Sequence, residues 1–264
     1  EGWDKPENMD KSIDQFIAAT IAYGHMGWLV EEQCGIRRTC RSYYMLQPLQ
    51  SRYLMEKPLE ILYGTEKGMI SSSEAFLNDA WKQNRLHIRY ANGLSVWING
   101  NANENWSIQT EKETVSLPPY GWLATIGDDF FTASTLFEGQ RCDWMSSPES
   151  VYVDGRGTQR SLNGIETAGA VAARWNEWKN GLSLIAVDGV DSLRIVKPDR
   201  TYKEGDLRNE IARLANADSL TVNAFDEAGE KLNDTPLALQ RNTSQSGFEI
   251  PIREKAIRYE ITAP

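Results

Sequence analysis

The sequence predicts an α+β protein that is mainly β, with N-terminal helices followed by antiparallel β-sandwich domains. Three observations predict it. In the first sixty residues Ile13, Phe16, Ile17, Ile21 and Trp28 recur at spacings of three, four or their multiples, which is the period of one helix face. From Arg85 onward, short segments alternate apolar with polar residues. Asn-Gly pairs at Asn92, Asn99, Asn163 and Asn180, and Asp-Gly pairs at Asp154 and Asp188, punctuate those segments. Such pairs suit the positive φ of hairpin turns.

The first helix is expected to hold residues 16–30, with Ser12 and Gln15 as a capping box ahead of it. Little polar face is left in that run, so a helix there must be covered on more than one side. It is too short to span a bilayer. A second helix is expected over residues 39–55, kinked or split at Pro48.

The strand segments read "SVWIN", "WSIQT", "GWLATI", "FFTASTLF", "VYVDG", "GAVAARW", "LSLIAV", "SLRIV", "LTVNAF", "GFEIPI" and "IRYEIT". Residues 204–217 interrupt them with a helical period. This gives three expected segments: a helical part at 1–84, a first antiparallel β domain at 85–148, and a second β-rich domain at 149–264 with one short helix.

The stretch "RLHIRYANGLSVWINGNANENW", residues 85–106, is a hairpin with a register problem. A two-residue turn at Asn92-Gly93 would mix apolar and polar side chains on each face. A three-residue turn, with Gly93 left-handed, pairs Tyr90 with Leu94, Ile88 with Val96 and Leu86 with Ile98. All six apolar side chains then share one face, and His87 lies opposite Trp97 on the other. A tryptophan on a polar face needs a partner, either a neighbouring domain or a ligand.

The chain has 264 residues with a net charge of −9, and its pI is about 4.9. That charge repels phosphate backbones and anionic bilayers, so neither nucleic acid nor membrane is an expected partner. No Cys/His cluster has zinc-ligand spacing, and no phosphate-binding loop is present. No cofactor or metal is expected. The two histidines are read separately: His25 as a hydrogen-bonded core residue, His87 as part of the hairpin. Cys34 and Cys40 either close a small disulfide loop, leaving Cys142 over, or all three thiols are unpaired. The nine tryptophans suit a dense β core or a carbohydrate-facing surface, since indole faces stack on the C–H faces of sugar rings.

The segments "IAATIAYGHMGWLVEE", "RSYYMLQPLQSRYL", "LHIRYANGLSVWINGNANENWSI" and "LPPYGWLA" resemble the C-terminal part of large glycoside-hydrolase-like proteins. There a (β/α)8 barrel ends in a last helix and is followed by β-sandwich domains. The likeness covers about residues 17–124. It implies that the first helix closes a barrel lying outside this chain, in a longer protein or in a partner chain. It implies carbohydrate as the ligand and an exported, secreted or periplasmic protein. The catalytic carboxylates would then also lie outside the chain.

On this reading Asp4 and Glu7, just before the first helix, would line the catalytic face of the barrel. Trp97 and Trp106 are the candidate sugar-stacking residues. The acidic pairs Glu31-Glu32 and Asp128-Asp129 are poor acid/base couples, because neighbouring side chains on a helix or strand do not converge. The expected function is that of an accessory portion supporting or binding polysaccharide. The alternative is a non-enzymatic β-sandwich module for glycan binding or adhesion.

Overall fold

Helix α1 (Met9–Tyr23) stops where the sequence offers the first residue that accepts a left-handed backbone. Gly24 has φ 66°, and the N–H groups of Gly24 and His25 return to the carbonyls of Ile21 and Thr20. The helix expected at 16–30 is therefore shifted: it begins at Met9 and ends at Tyr23. Ser12 lies inside it, not at its cap. This computed structural model describes residues 8–29, 31–198, 200, 202–203, 205–241 and 247–264.

Helix α2 (Glu31–Tyr53) departs from helical geometry at Gly35, not at Pro48. Pro48 is carried inside the helix, and its carbonyl accepts from Ser51 Oγ at 2.8 Å and Arg52 Nη1 at 2.6 Å. All three cysteines are free. Cys34 and Cys40 lie on either side of the non-helical Gly35 and form no disulfide.

The chain folds as two compact units, Glu1–Cys142 and Asp143–Pro264. The opening helices thus fall in one unit with the first β strands. The segment expected to be wholly helical also contains β1 (Pro58–Thr65) and β2 (Gly68–Ser71), then α3 (Ser72–Leu77). Strand β1 is mostly exposed along its length, so its apolar residues carry no clean two-residue period. The true capping box belongs to α3, where Ser71 and Glu74 cap each other.

The first unit continues with β3 (Arg85–Tyr90), β4 (Ser95–Asn99), β5 (Trp106–Gln109), β6 (Thr114–Leu117), β7 (Trp122–Ile126) and β8 (Phe130–Phe137). Six strands run antiparallel in the order β2-β1-β3-β4-β7-β8. Helices α1 and α2 pack on one another and on β4 and β8 respectively. Ile13, Ile17 and Ile21 of α1, Met45 and Leu49 of α2, and Val96, Ile98 and Trp122 of the sheet are all buried. The Tyr53 and Tyr90 rings stack at 6.1 Å, and Tyr53 Oη donates to the carbonyl of His25 at 2.9 Å. The expectation that α1 lacks partners within the chain is corrected here, since strands downstream cover its inward face. Tyr23 at the end of α1 and Met26, Trp28 and Leu29 in the link to α2 are exposed, as are Met55, Phe76 and Leu77 further along the unit.

Strand β9 (Gln140–Ser146) straddles the division. The second unit adds β10 (Ser150–Asp154), β11 (Arg160–Leu162), β12 (Ile165–Thr167), β13 (Ala170–Asn176), β14 (Gly181–Asp188) and β15 (Leu193–Ile195). After these come α4 (Leu207–Ala215), β16 (Ser219–Phe225), β17 (Leu237–Gln240), β18 (Phe248–Glu249) and β19 (Arg258–Thr262). The main sheet has the order β9-β10-β13-β14-β19-β16-β17, and a smaller sheet has the order β11-β12-β15-β18. One core joins them: Val151, Val171, Leu184 and Tyr259 from the main sheet, Ile165 and Ile195 from the smaller, and Leu207, Ile211 and Leu214 from α4. The α4 N-cap is Asp206, whose side chain accepts from the Arg208 N–H. Together these elements make an α+β, mainly β protein.

Candidate functional site

The β3–β4 hairpin has the three-residue turn. Tyr90 N–H donates to the Leu94 carbonyl at 2.8 Å, and Gly93 has φ 85°. Ile88 pairs with Val96, Leu86 with Ile98, and His87 with Trp97. Ile88, Tyr90, Leu94, Val96 and Ile98 are buried.

On the opposite face, the His87 and Trp97 rings lie nearly parallel, 8° apart with centroids at 4.3 Å. His87 Nε2 is 2.7 Å from Ser95 Oγ. Burial, reinforced by the charge of Arg89 and opposed by Glu60, lowers the His87 pKa to about 4. The imidazole is therefore neutral at physiological pH.

The partner that Trp97 needs is the β5–β6 hairpin. Trp106, Ile108 and Leu117 are buried there as a small second core, against which Trp97, Val115 and Leu123 pack. Asn99, fully buried, fixes the loop that brings the hairpin over: its Nδ2 lies 2.8 Å from the Glu104 carbonyl, 3.1 Å from that of Leu117 and 2.9 Å from that of Pro118. Its place at the end of β4 explains the Asn-Gly pair there as a structural anchor. Gly64 of β1 makes room for the Trp106 indole, whose Cζ2 would lie 2.5 Å from any Cβ at that position.

Of the two candidate stacking residues, Trp106 is thus enclosed, and Trp97 is half-buried with His87 over its ring. Trp106 therefore offers no open ring face, and one face of Trp97 is covered by His87. Trp122 is buried as well. Asp4 and Glu7 lie outside the described residues, as do the side chains of Glu31 and Glu32. Asp128 and Asp129 are exposed in the β7–β8 turn, with Asp128 paired to Lys112. His25 is no core residue: α1 has ended before it, and it is exposed, stacked on Tyr23 at 6.2 Å.

One pair of carboxylates escaped sequence reasoning. Asp143 and Asp154 sit directly opposite each other on β9 and β10, and both are buried. Arg156 joins them, its guanidinium on Asp143 at 2.8 Å and its N–H on Asp154 at 2.8 Å. Each aspartate lies in a different strand, so no local motif announces the pair. Their burial beneath Arg156 makes it a structural lock.

Among the described residues no three His, Cys, Asp or Glu side chains are grouped to hold a metal ion, and no helix is long and apolar enough to cross a membrane. A cavity of about 30 Å³ lies between Ile13, Phe16, Trp28, Leu29 and Cys34. That is room for a water molecule, not for a sugar.

Aromatics that do face solvent include Tyr23, Phe76, Trp81, Trp28, 79% exposed in the α1–α2 link, and Trp178, 99% exposed at the tip of the β13–β14 hairpin. The Asn180-Gly181 pair marks that tip in the sequence, but the exposure of Trp178 is seen only in the folded chain. Comparison of the chain with protein-family models, with curated proteins and with solved structures finds no match in any of the three.

Proposed function

We propose that this chain is the accessory C-terminal portion of a carbohydrate-active, glycoside-hydrolase-like protein, with its β units supporting or contacting polysaccharide. The catalytic carboxylates belong, on this reading, to a barrel domain outside the chain. The observation that carries it is the bare α1–α2 link. Tyr23, Met26, Trp28 and Leu29 expose their apolar surface at one end of a helix pair whose inward face is seated on its own sheet. Large apolar side chains exposed close together in the chain suit a place that another body covers. The sequence likeness to the end of a barrel names that body.

Support also comes from the β units, whose buried acidic residues serve as locks and whose exposed tryptophans remain available. The reading is tested with the chain itself. Retardation in native gels cast with soluble polysaccharides is expected for at least one polymer, with no release of reducing ends. Reducing ends released by the purified chain would refute the accessory role, and mobility unchanged by every polymer would remove carbohydrate as its ligand. Trp178 equally favours the second reading, a glycan-binding or adhesion module with no enzyme attached.

A further inference from the structure

The β13–β14 hairpin is held at its base and bare at its tip. Its strands pair from Ala170 with Asp188 through to Asn176 with Gly181, leaving a single 3₁₀ turn, Glu177–Lys179, at the end. Asn180 takes the left-handed conformation, φ 46° and ψ 48°, and its N–H closes on the Glu177 carbonyl. Lys179 reaches back to the sheet: its Nζ lies 2.7 Å from Glu260 and 5.2 Å from the centroid of the Phe225 ring. Trp175, one pair short of the turn, packs on the core with the Arg213 guanidinium 5.6 Å over its ring. Trp178 is 99% exposed, the one apolar side chain among the exposed residues of the turn. A rigid turn that presents one bare indole has its ordering cost already met before any ligand arrives.

We propose that this tip, residues 176–180, is a sugar-contact site, with Trp178 as the platform for a pyranose ring of a neutral polysaccharide. The proposal rests on the carbohydrate reading above and names the surface that makes the contact. The neighbours of Trp178 select the ligand. Asn176, Glu177, Lys179 and Asn180 are all polar, and the two asparagines, two residues to either side of Trp178, carry amide donors and acceptors suited to sugar hydroxyls.

The core of a protein interface is depleted in charged residues, whereas Glu177 and Lys179 stand on either side of Trp178. A bilayer is disfavoured too. One indole buries little area, and a net charge of −9 repels anionic headgroups. A single platform binds weakly, so the natural ligand is a polymer that offers the same ring many times.

The test uses the whole 264-residue chain as wild type, Trp178→Ala and Trp178→Phe. Each is run in affinity gels containing soluble starch, hydroxyethyl cellulose, galactomannan or xylan, and each is sedimented with phosphatidylcholine vesicles. The expected result is retention of the wild type by at least one polymer, roughly tenfold weaker binding for Trp178→Ala, and partial recovery with Trp178→Phe. Melting temperatures should match, because an exposed side chain is lost. Retention undiminished in Trp178→Ala would overturn this site and leave the carbohydrate reading standing. Absence of wild-type retention on all four polymers would overturn both. Vesicle binding abolished by Trp178→Ala would replace the sugar with a membrane surface.

Discussion

His87 and Trp97 stack face to face across the β3–β4 hairpin, centroids 4.3 Å apart, on the side of the sheet away from the helices. Strand pairing places them opposite each other, and the β5–β6 hairpin then closes over the tryptophan. A histidine in that position is held neutral by its loss of water contact, with Arg89 adding to the effect.

That neutral state predicts an acid sensitivity. An unfolded histidine titrates near 6.5, whereas His87 in the folded chain titrates at about 4. Between these values the unfolded chain takes up a proton that the folded chain refuses, so stability falls as pH drops from about 6.5 toward 4. Thermal melts across that range should show His87→Gln losing less stability on acidification than the wild type. Parallel curves would contradict a depressed pKa at His87.

Asp14 is expected to be the most sensitive charge in the first unit. Its carboxylate is buried and meets Arg41 at 3.0 Å and Arg141 at 2.8 Å. Asp14→Asn leaves the buried Arg41 guanidinium with only the longer 3.7 Å contact to Asp10, which should cost about 3 kcal/mol in urea unfolding. Lys82–Asp79, an exposed pair, should cost less than about 1 kcal/mol when broken.

Gly64→Ala tests how Trp106 is seated. The new methyl group would press into the indole, so a loss of about 1–3 kcal/mol is expected, with altered tryptophan fluorescence. An unchanged unfolding midpoint would mean that the β5–β6 hairpin rides loosely on β1.

The sequons at Asn105 and Asn233 should behave differently in a host that glycosylates exported proteins. Asn105 is exposed. Asn233 is buried, accepting from the Ala224 N–H and donating to the Thr235 carbonyl. Peptide mapping should find glycan at Asn105 and none at Asn233.

Much of the fold can be read from residue order. The segments at 95–99 and 130–137 coincide with β4 and β8: β4 alternates in burial, and β8 is a short run rich in aromatic and β-branched residues buried on both faces. The turn register at Asn92-Gly93 follows from the same alternation. Asn163-Gly164 adopts positive φ at both residues, the signature of a tight hairpin between β11 and β12. The α1 boundary was harder to read. Apolar residues run on past Gly24, and only the left-handed glycine ends the helix.

The candidate site was less legible, for a physical reason. Whether an indole is enclosed depends on what folds over it, and β5 and β6 reach Trp97 only through the loop that Asn99 anchors. Composition marks tryptophans as special without saying which are bare. Trp106 and Trp122 turned out to be core, while Trp28 and Trp178 face water.

The most direct measurement is the intact mass of the polypeptide, isolated from its native source with antibodies raised against residues 1–264. An accessory role beside a barrel predicts a polypeptide longer by about 250 residues or more, or a tightly held partner chain of that size. A lone polypeptide bounded by Glu1 and Pro264, with no partner, would contradict it.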